Sequence, residues 1–176
     1  MRGFTLIEMS VVLLILSLIT TAAYSASNMI EFAHTRTLIS TLNNYRAAIN
    51  SFDSKYRSLP GDFPKATLHW PESKNGNYNG NIEKEEHPWE HLLLSENIQQ
   101  LPINTTIEIN IYNDANTNNF VIRRPQGGGF MPSYLHGLDL KADDGRPDSG
   151  DLKSNCNSQG RYPDADNQEC TIFWKL

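Results

Sequence analysis

The stretch from Met9 to Ile30 contains no charged side chain, and no other feature limits the possible folds of this chain as strongly. An α-helix needs about 20 apolar residues to cross the ~30 Å of hydrocarbon in a bilayer. The stretch therefore predicts a membrane-spanning helix near the start of the chain. The alternative is a cleaved secretory signal, with Ala22, Ala23 and Ala26 as small residues at its cleavage site. Arg2 is the sole basic residue before the run, which disfavours that alternative.

One carboxylate, Glu8, stands at the head of this apolar run. A charged residue at the centre of a membrane helix costs about 2.5–3.5 kcal/mol on insertion scales, and it costs less near the membrane face. A carboxylate in such a place either pairs with an opposite charge or marks the end of the span. The cost of placing it there leaves both interpretations open.

The composition beyond this run is that of a soluble domain. The chain has 176 residues and a formal net charge of −5, without a block rich in Lys and Arg. A negative charge without a basic cluster argues against a nucleic-acid groove, so we expect no nucleic-acid partner. The crowding of apolar residues near the N-terminus predicts an anchor followed by one domain.

A second apolar pattern predicts that the first helix continues far beyond the membrane run. No Pro or Gly occurs between Phe4 and Leu59, and apolar residues recur with spacings typical of one helix face. They are Leu38, Leu42, Tyr45, Ile49, Phe52 and Tyr56. We expect one helix from about Phe4 to Tyr56, ended by the LPGDFP sequence that starts at Leu59.

The remaining elements are predicted to be short. Residues 88–97 favour a short helix, and residues 106–112 alternate as a half-buried strand does. An Asn-rich turn connects that strand to a second one at residues 120–123, which predicts an antiparallel hairpin. Residues 139–170 form a loop-rich tail, and residues 171–175 favour a last strand.

Cys156 and Cys170 are the two cysteines of the chain. A disulfide between them would close a loop of about 15 residues and stabilise the fold by roughly 3 kcal/mol. Beyond a membrane anchor the chain would lie outside the cytosol, where a disulfide persists. The alternative is two free cytosolic thiols.

The residues Gly3-Phe4-Thr5-Leu6-Ile7-Glu8, followed by the apolar run, resemble the prepilin signal of the type IV pilin and pseudopilin family. The resemblance implies that a prepilin peptidase cuts between Gly3 and Phe4 and N-methylates Phe4. It also implies that Glu8 neutralises the Phe4 amine of an adjacent subunit during assembly. The leader Met1–Gly3 is shorter than usual in the family, which leaves open a start codon upstream of Met1. The family's frequent helix-kinking proline is absent.

The same resemblance implies an α+β, pilin-like fold, in which a long N-terminal helix packs on a small antiparallel sheet with a disulfide-closed C-terminal region. The domains would be a leader (1–3), a transmembrane and filament-core half of the helix (4–30), a periplasmic half (31–57) and a globular head (58–176). The chain would be a non-enzymatic subunit of a type IV pilus or type II secretion-like filament. Its partners would be other subunits, the peptidase and an inner-membrane assembly platform.

Such a subunit would sit in the inner membrane with its head in the periplasm before it enters the filament. The alternative is a membrane-tethered periplasmic binding or enzymatic domain that does not polymerise.

The Asn/Gly-rich loop that starts at Asn75 follows the pattern of an EF-hand calcium loop. The candidate ligands are Asn75, Asn77, Asn79, Asn81, Glu83 and Glu86. Asn75 stands where the pattern has Asp, so the affinity would be weak, roughly 10⁻⁴ to 10⁻³ M. The alternative is an ordinary Asn/Gly turn. A second acidic loop is a weaker candidate for a metal, and its alternative is a solvated turn. Its acids are Asp139, Asp143, Asp144, Asp148 and Asp151.

The sequence HPWEH, from His87 to His91, matches the H-x-x-E-H pattern of zinc peptidases. Pro88 suits the first helical turn, which places His87 at the cap and away from the face of His91. No G-x-S-x-G motif or P-loop occurs in the sequence. We therefore expect no enzymatic activity.

Overall fold

The computed structural model describes residues 5–83, 85, 87–100, 107–114, 116–124, 130–164 and 169–176, without the side chains of 25–28 and 30–32. The chain divides into two compact units, Met1–Thr41 and Leu42–Leu176. The helices are α1 (Leu6–Tyr56), α2 (Ala66–His69), α3 (Pro88–Leu94) and α4 (Pro132–Ala142). The strands are β1 (Glu108–Asp114), β2 (Thr117–Arg123), β3 (Leu152–Ser154) and β4 (Ile172–Lys175). This is the α+β class that the sequence predicts.

The uninterrupted first helix is confirmed, with its predicted end at Tyr56. In the first unit several of the described hydroxyl side chains bond to carbonyl oxygens of the preceding turn. Ser10 donates to the Ile7 carbonyl at 2.8 Å, and Ser17 donates to the Leu14 carbonyl at 2.7 Å. Hydrocarbon offers no partner to a hydroxyl, so these internal bonds let polar residues stand on an apolar helix.

The part of α1 in the second unit carries the predicted apolar stripe. Leu42, Ile49 and Phe52 are buried there, and Tyr45 and Tyr56 are half-buried. Spacings of three and four residues keep these side chains on one face, which packs into the core.

Phe52 is the centre of an aromatic cluster. Its ring centroid lies 4.6 Å from that of Tyr56, 6.2 Å from Phe63, 6.3 Å from Trp70 and 6.1 Å from His91. The LPGDFP turn that ends α1 brings Phe63 and Trp70 back onto the helix. The turn predicted as a helix stop therefore also builds the core.

The strands form one antiparallel sheet in the order β1-β2-β4-β3. The hairpin of β1 and β2 is confirmed, although both strands extend further toward their turn than the sequence indicates. Asp114 pairs with Thr117, and Asn116 in the turn has φ +63, a conformation that Asn tolerates. The last strand, β4, is also confirmed.

One face of the sheet is apolar. Its buried members are Ile109, Ile111, Phe120, Ile122, Leu152, Ile172 and Trp174. Arg46 of α1 lies over the Trp174 ring, 5.5 Å from its centroid, and donates a hydrogen bond to the Lys175 carbonyl oxygen. The Leu42–Tyr56 part of α1 therefore contacts the sheet at β4.

Two elements in the C-terminal third, α4 and β3, are not predicted from the sequence. Pro132 opens α4, and Leu135 and Leu138 are its buried leucines. The strand β3 has three residues, and Leu152 and Ser154 face inward from it. Segments this short carry little periodicity, so the sequence predicted loop there.

The disulfide between Cys156 and Cys170 is present, with the Cα atoms 5.4 Å apart. Both cysteines are buried. Cys170 also pairs with Phe130 through two backbone hydrogen bonds of 3.1 and 3.2 Å. The disulfide therefore joins the tail to the segment that precedes α4.

Replacing both cysteines with serine should lower the free energy of unfolding by about 3 kcal/mol, because the opened loop regains entropy in the unfolded chain. Chemical denaturation of the purified full-length chain in detergent, followed by tryptophan fluorescence, measures the change. A reducing agent should produce the same shift in the wild-type chain and none in the double variant. A wild-type midpoint that reduction leaves unchanged would contradict the prediction.

Candidate functional site

Thr5 and Glu8 form a reciprocal cap at the N-terminus of α1. The Glu8 carboxylate accepts hydrogen bonds from the Thr5 backbone N–H and the Thr5 hydroxyl, both at 2.8 Å. The Glu8 N–H donates to the Thr5 hydroxyl oxygen at 3.3 Å. This is a capping box, which satisfies N–H groups that the helix leaves without a partner.

Both side-chain bonds of Glu8 use the same oxygen, Oε2. Among the residues that the structure describes, none donates to Glu8 Oε1. Gly3 and Phe4, the residues of the predicted cleavage, lie outside the described residues. The carboxylate thus keeps one oxygen for a further donor while it caps its own helix.

The T-x-x-E spacing of Thr5 and Glu8 is itself a sequence signature of a capping box. The interpretation of Glu8 from its charge alone leaves out this local role. Thr5 is therefore a site residue that sequence reasoning missed.

The segment that follows the cap presents an apolar surface. Residues Leu6–Tyr24 form a helix long and apolar enough to cross a membrane, and none of this window is buried. Leu6, Leu13 and Leu18 are among its most exposed apolar side chains. Water would disfavour such a surface, so lipid or other apolar helices are its suitable surroundings.

The loop predicted to bind calcium is held by its own amides. The Asn79 N–H donates to Asn77 Oδ1 at 3.0 Å, and the Asn81 N–H donates to Asn79 Oδ1 at 2.8 Å. The side-chain amides of Asn77 and Asn79 both donate to Glu83 Oε1, at 3.2 and 3.1 Å. These four predicted ligands therefore do lie close together.

The other two predicted calcium ligands do not join this group. Asn75 Oδ1 accepts hydrogen bonds from the Thr67 N–H and hydroxyl, at 2.9 and 3.1 Å. Glu86 lies outside the described residues. A calcium ion takes six to eight oxygen ligands. In the described arrangement two side-chain amide nitrogens face Glu83 Oε1. Calcium binding here stays a prediction.

Asp62 organises this loop, although the sequence analysis treated it only as part of a turn. Its carboxylate is buried and accepts hydrogen bonds from the N–H groups of Asn79 and Gly80, at 2.9 and 2.8 Å. A charge held by two backbone donors is well compensated. Asp62 thereby fixes the loop against the end of α1.

His91, the last residue of the H-x-x-E-H match, has a structural role in the fold. It is buried, its Nδ1 accepts from the Gly61 N–H at 2.9 Å, and its Nε2 lies 2.8 Å from the Lys74 carbonyl oxygen. These contacts assign a neutral ring with the proton on Nε2. Both ring nitrogens are engaged, and His87 is the N-cap residue as predicted. His87 and His91 are therefore not arranged as a pair of zinc ligands.

Burial lowers the pKa of His91 below its ordinary value, and the Lys74 carbonyl and Glu90 oppose that shift more weakly. The folded chain then binds fewer protons than the unfolded chain once the pH falls below about 6.5. We expect the contribution of His91 to the free energy of unfolding to be constant above that pH and to fall below it, by at most about 1.4 kcal/mol per pH unit.

Denaturant unfolding from pH 7.5 to 5 measures this effect. The His91→Gln variant keeps one donor and one acceptor but does not titrate, so its profile should be flatter than that of the wild-type chain. Equal slopes in the two proteins would contradict the prediction.

The second acidic loop brings Asp139, Asp143 and Asp144 together, with carboxylate oxygens within 4.8 Å of one another. Each carboxylate has a partner in the fold. Asp139 accepts from the Tyr162 hydroxyl at 2.8 Å, and Asp143 accepts from the Leu152 N–H at 2.8 Å. Asp144 accepts from the Ser149 hydroxyl at 2.6 Å. The three acids therefore connect α4 to β3 and the tail.

A family model for the prokaryotic N-terminal methylation motif matches residues 1–24. Neither a curated protein nor a solved structure matches the chain. The matched residues contain Thr5 and Glu8 of the capping box and nearly all of the apolar segment. At its N-terminus the chain thus carries the prepilin-type signal of type IV pilins and pseudopilins.

Proposed function

We propose that the chain is a structural subunit of a type IV pilus or of a type II secretion-like filament, as a pilin, minor pilin or pseudopilin. The main support for this proposal is the methylation motif at residues 1–24, which coincides with an exposed apolar helix. Motif and helix together are what a subunit needs if it is processed at the membrane and then enters a helical bundle.

Processing by a prepilin peptidase would remove residues 1–3 and leave a methylated amine on Phe4. Residues 4–30 would hold the subunit in the inner membrane, and residues 31–57 with the head, 58–176, would lie in the periplasm. An assembly platform in the inner membrane would then transfer the subunit into the filament.

The capping box suggests how one carboxylate serves two stages. In the free subunit Glu8 Oε2 caps its own helix through Thr5. In the filament Glu8 Oε1 would accept from the cationic Phe4 amine of an adjacent subunit. An ion pair in apolar surroundings favours the register that makes it, because every other register leaves two charges without a partner.

A membrane-tethered periplasmic domain that never polymerises is the competing function. The methylation motif at residues 1–24 favours the structural proposal, because proteins with this signal are usually non-enzymatic structural subunits. The contacts of His91 lend no support to an enzymatic form of the alternative. We therefore propose a non-enzymatic role.

Cell fractionation distinguishes the two functions. The chain should enter sheared, pelletable fibres in cells with a complete assembly system. It should stay in the membrane fraction in cells that lack the prepilin peptidase or the assembly ATPase. If the chain stays in the membrane fraction in all three strains, the result would instead support a tethered domain.

A further inference from the structure

A cleft of about 370 Å³ opens beside the C-terminal end of α1, within the second unit. The helix end contributes Asp53 and Arg57, and the loop held by Asp62 contributes Tyr78 and Asn79. Ligand pockets in proteins measure about 300–1,000 Å³, so the cleft has room for a small ring-shaped ligand.

The cleft has a rigid aromatic wall. Tyr78 is 62% exposed as a residue, yet its hydroxyl donates to the Arg57 carbonyl oxygen at 3.3 Å. The backbone N–H of Tyr78 donates to the Asp62 carbonyl oxygen at 3.2 Å. Tyr78 and Arg57 have backbone φ values of +59 and +57, in the left-handed region that residues other than glycine rarely adopt. An exposed ring fixed at both ends is pre-organised for contact, because little freedom is lost when a ligand covers it.

Two of the charged side chains at the cleft, Asp53 and Arg57, are exposed, and they have opposite signs but are not paired. Asp53 and Arg57 lie four residues apart, and neither side chain has a hydrogen-bond or ion-pair partner in the part of the chain that the structure describes. The Asp62 charge is already compensated by two backbone N–H groups. One acid and one base together favour neither an anion nor a cation, and they offer both acceptors and donors.

We propose that this cleft binds one neutral sugar ring of a glycan. Aromatic faces carry a negative quadrupole, which attracts the C–H face of a sugar to Tyr78. A hydroxyl group both donates and accepts, so the sugar hydroxyls suit Asp53 as acceptor and Arg57 as donor. The site does not depend on filament assembly.

Saturation-transfer NMR on the full-length chain tests this proposal. Dodecylphosphocholine micelles are suitable because their headgroup is not a sugar. The probes are the neutral trisaccharides triacetylchitotriose, maltotriose and cellotriose, with trigalacturonic acid as the anionic comparison. We expect transfer to the ring C–H protons of a neutral probe, with a Kd of about 1 mM.

Tyr78→Ala and Asp53→Ala should each weaken this binding roughly five-fold or more. The first variant removes the aromatic face that contacts the sugar ring, and the second removes the acceptor for a sugar hydroxyl. Lys153→Ala, an exposed change on β3, should leave it unchanged. If Tyr78→Ala lowers the midpoint of thermal unfolding, its binding result is set aside. The Asp53→Ala variant, on the exposed surface of α1, then tests the proposal by itself. Absence of transfer to every neutral probe at ~10 mM would overturn the proposal. Binding that survives both variants, or a preference for trigalacturonic acid that Arg57→Gln removes, would overturn it as well.

Discussion

The Glu8→Ala variant should be cut and inserted in the membrane like the wild-type chain, and it should be depleted at least roughly ten-fold from the fibre fraction. The cut bond lies outside the changed residue, so processing should continue. Assembly would then place the Phe4 amine of a neighbouring subunit in apolar surroundings without a counter-charge. Immunoblots of sheared fibres and of membranes, from cells with the complete assembly system, measure the ratio.

Glu8→Gln is the control that separates charge from capping. Glutamine accepts the same hydrogen bonds from Thr5 in a capping box but cannot neutralise an amine. We expect Glu8→Gln to be depleted almost as strongly as Glu8→Ala. Normal fibres from Glu8→Gln would assign Glu8 to the cap alone and would remove the ion pair from the account.

The Phe52→Ala variant should lose about 3–5 kcal/mol of unfolding free energy, which is the usual cost of deleting a buried phenylalanine ring. Phe52 is fully buried and contacts rings from the turn after α1 as well as His91 on α3. Its removal leaves a cavity where the end of α1, the turn after it and α3 meet. Denaturant unfolding of the full-length chain, followed by tryptophan fluorescence, measures the loss.

Leu68→Ala is a matched control, because Leu68 belongs to the neighbouring α2 and is 79% exposed. It should change the unfolding free energy by less than about 0.5 kcal/mol. A similar loss in both variants would mean that the aromatic cluster is not the core of the second unit. Phe52→Ala with less than about 1 kcal/mol of loss would contradict the prediction in the same way.

The sequence predicts those parts of the fold whose patterns are long. The apolar stripe of α1 repeats over several turns, and the alternation around Ile109 and Ile111 marks a strand buried on one face. The end of α1 follows from Pro60, which interrupts a helix, and from Gly61, which disfavours one. These features are local, so a single sequence suffices to find them.

The contacts that the sequence does not predict join residues far apart in the chain. The side chain of Asp62 bonds to the loop at Asn79, and Tyr162 bonds to Asp139 on α4. No spacing rule connects such pairs, because the fold alone brings them together. Thr5 differs, since its partner is three residues away and the T-x-x-E signature was available in the sequence.

The mass of the N-terminal peptide, from cells with and without the prepilin peptidase, shows whether the chain is processed as a prepilin. We expect a chain that begins at Phe4 and carries one methyl group when the peptidase is present, and an uncut chain when it is absent. A chain that stays uncut in both strains, or one that is cut near Ala26, would contradict the account. The motif at residues 1–24 would then mark only a membrane anchor or a secretory signal.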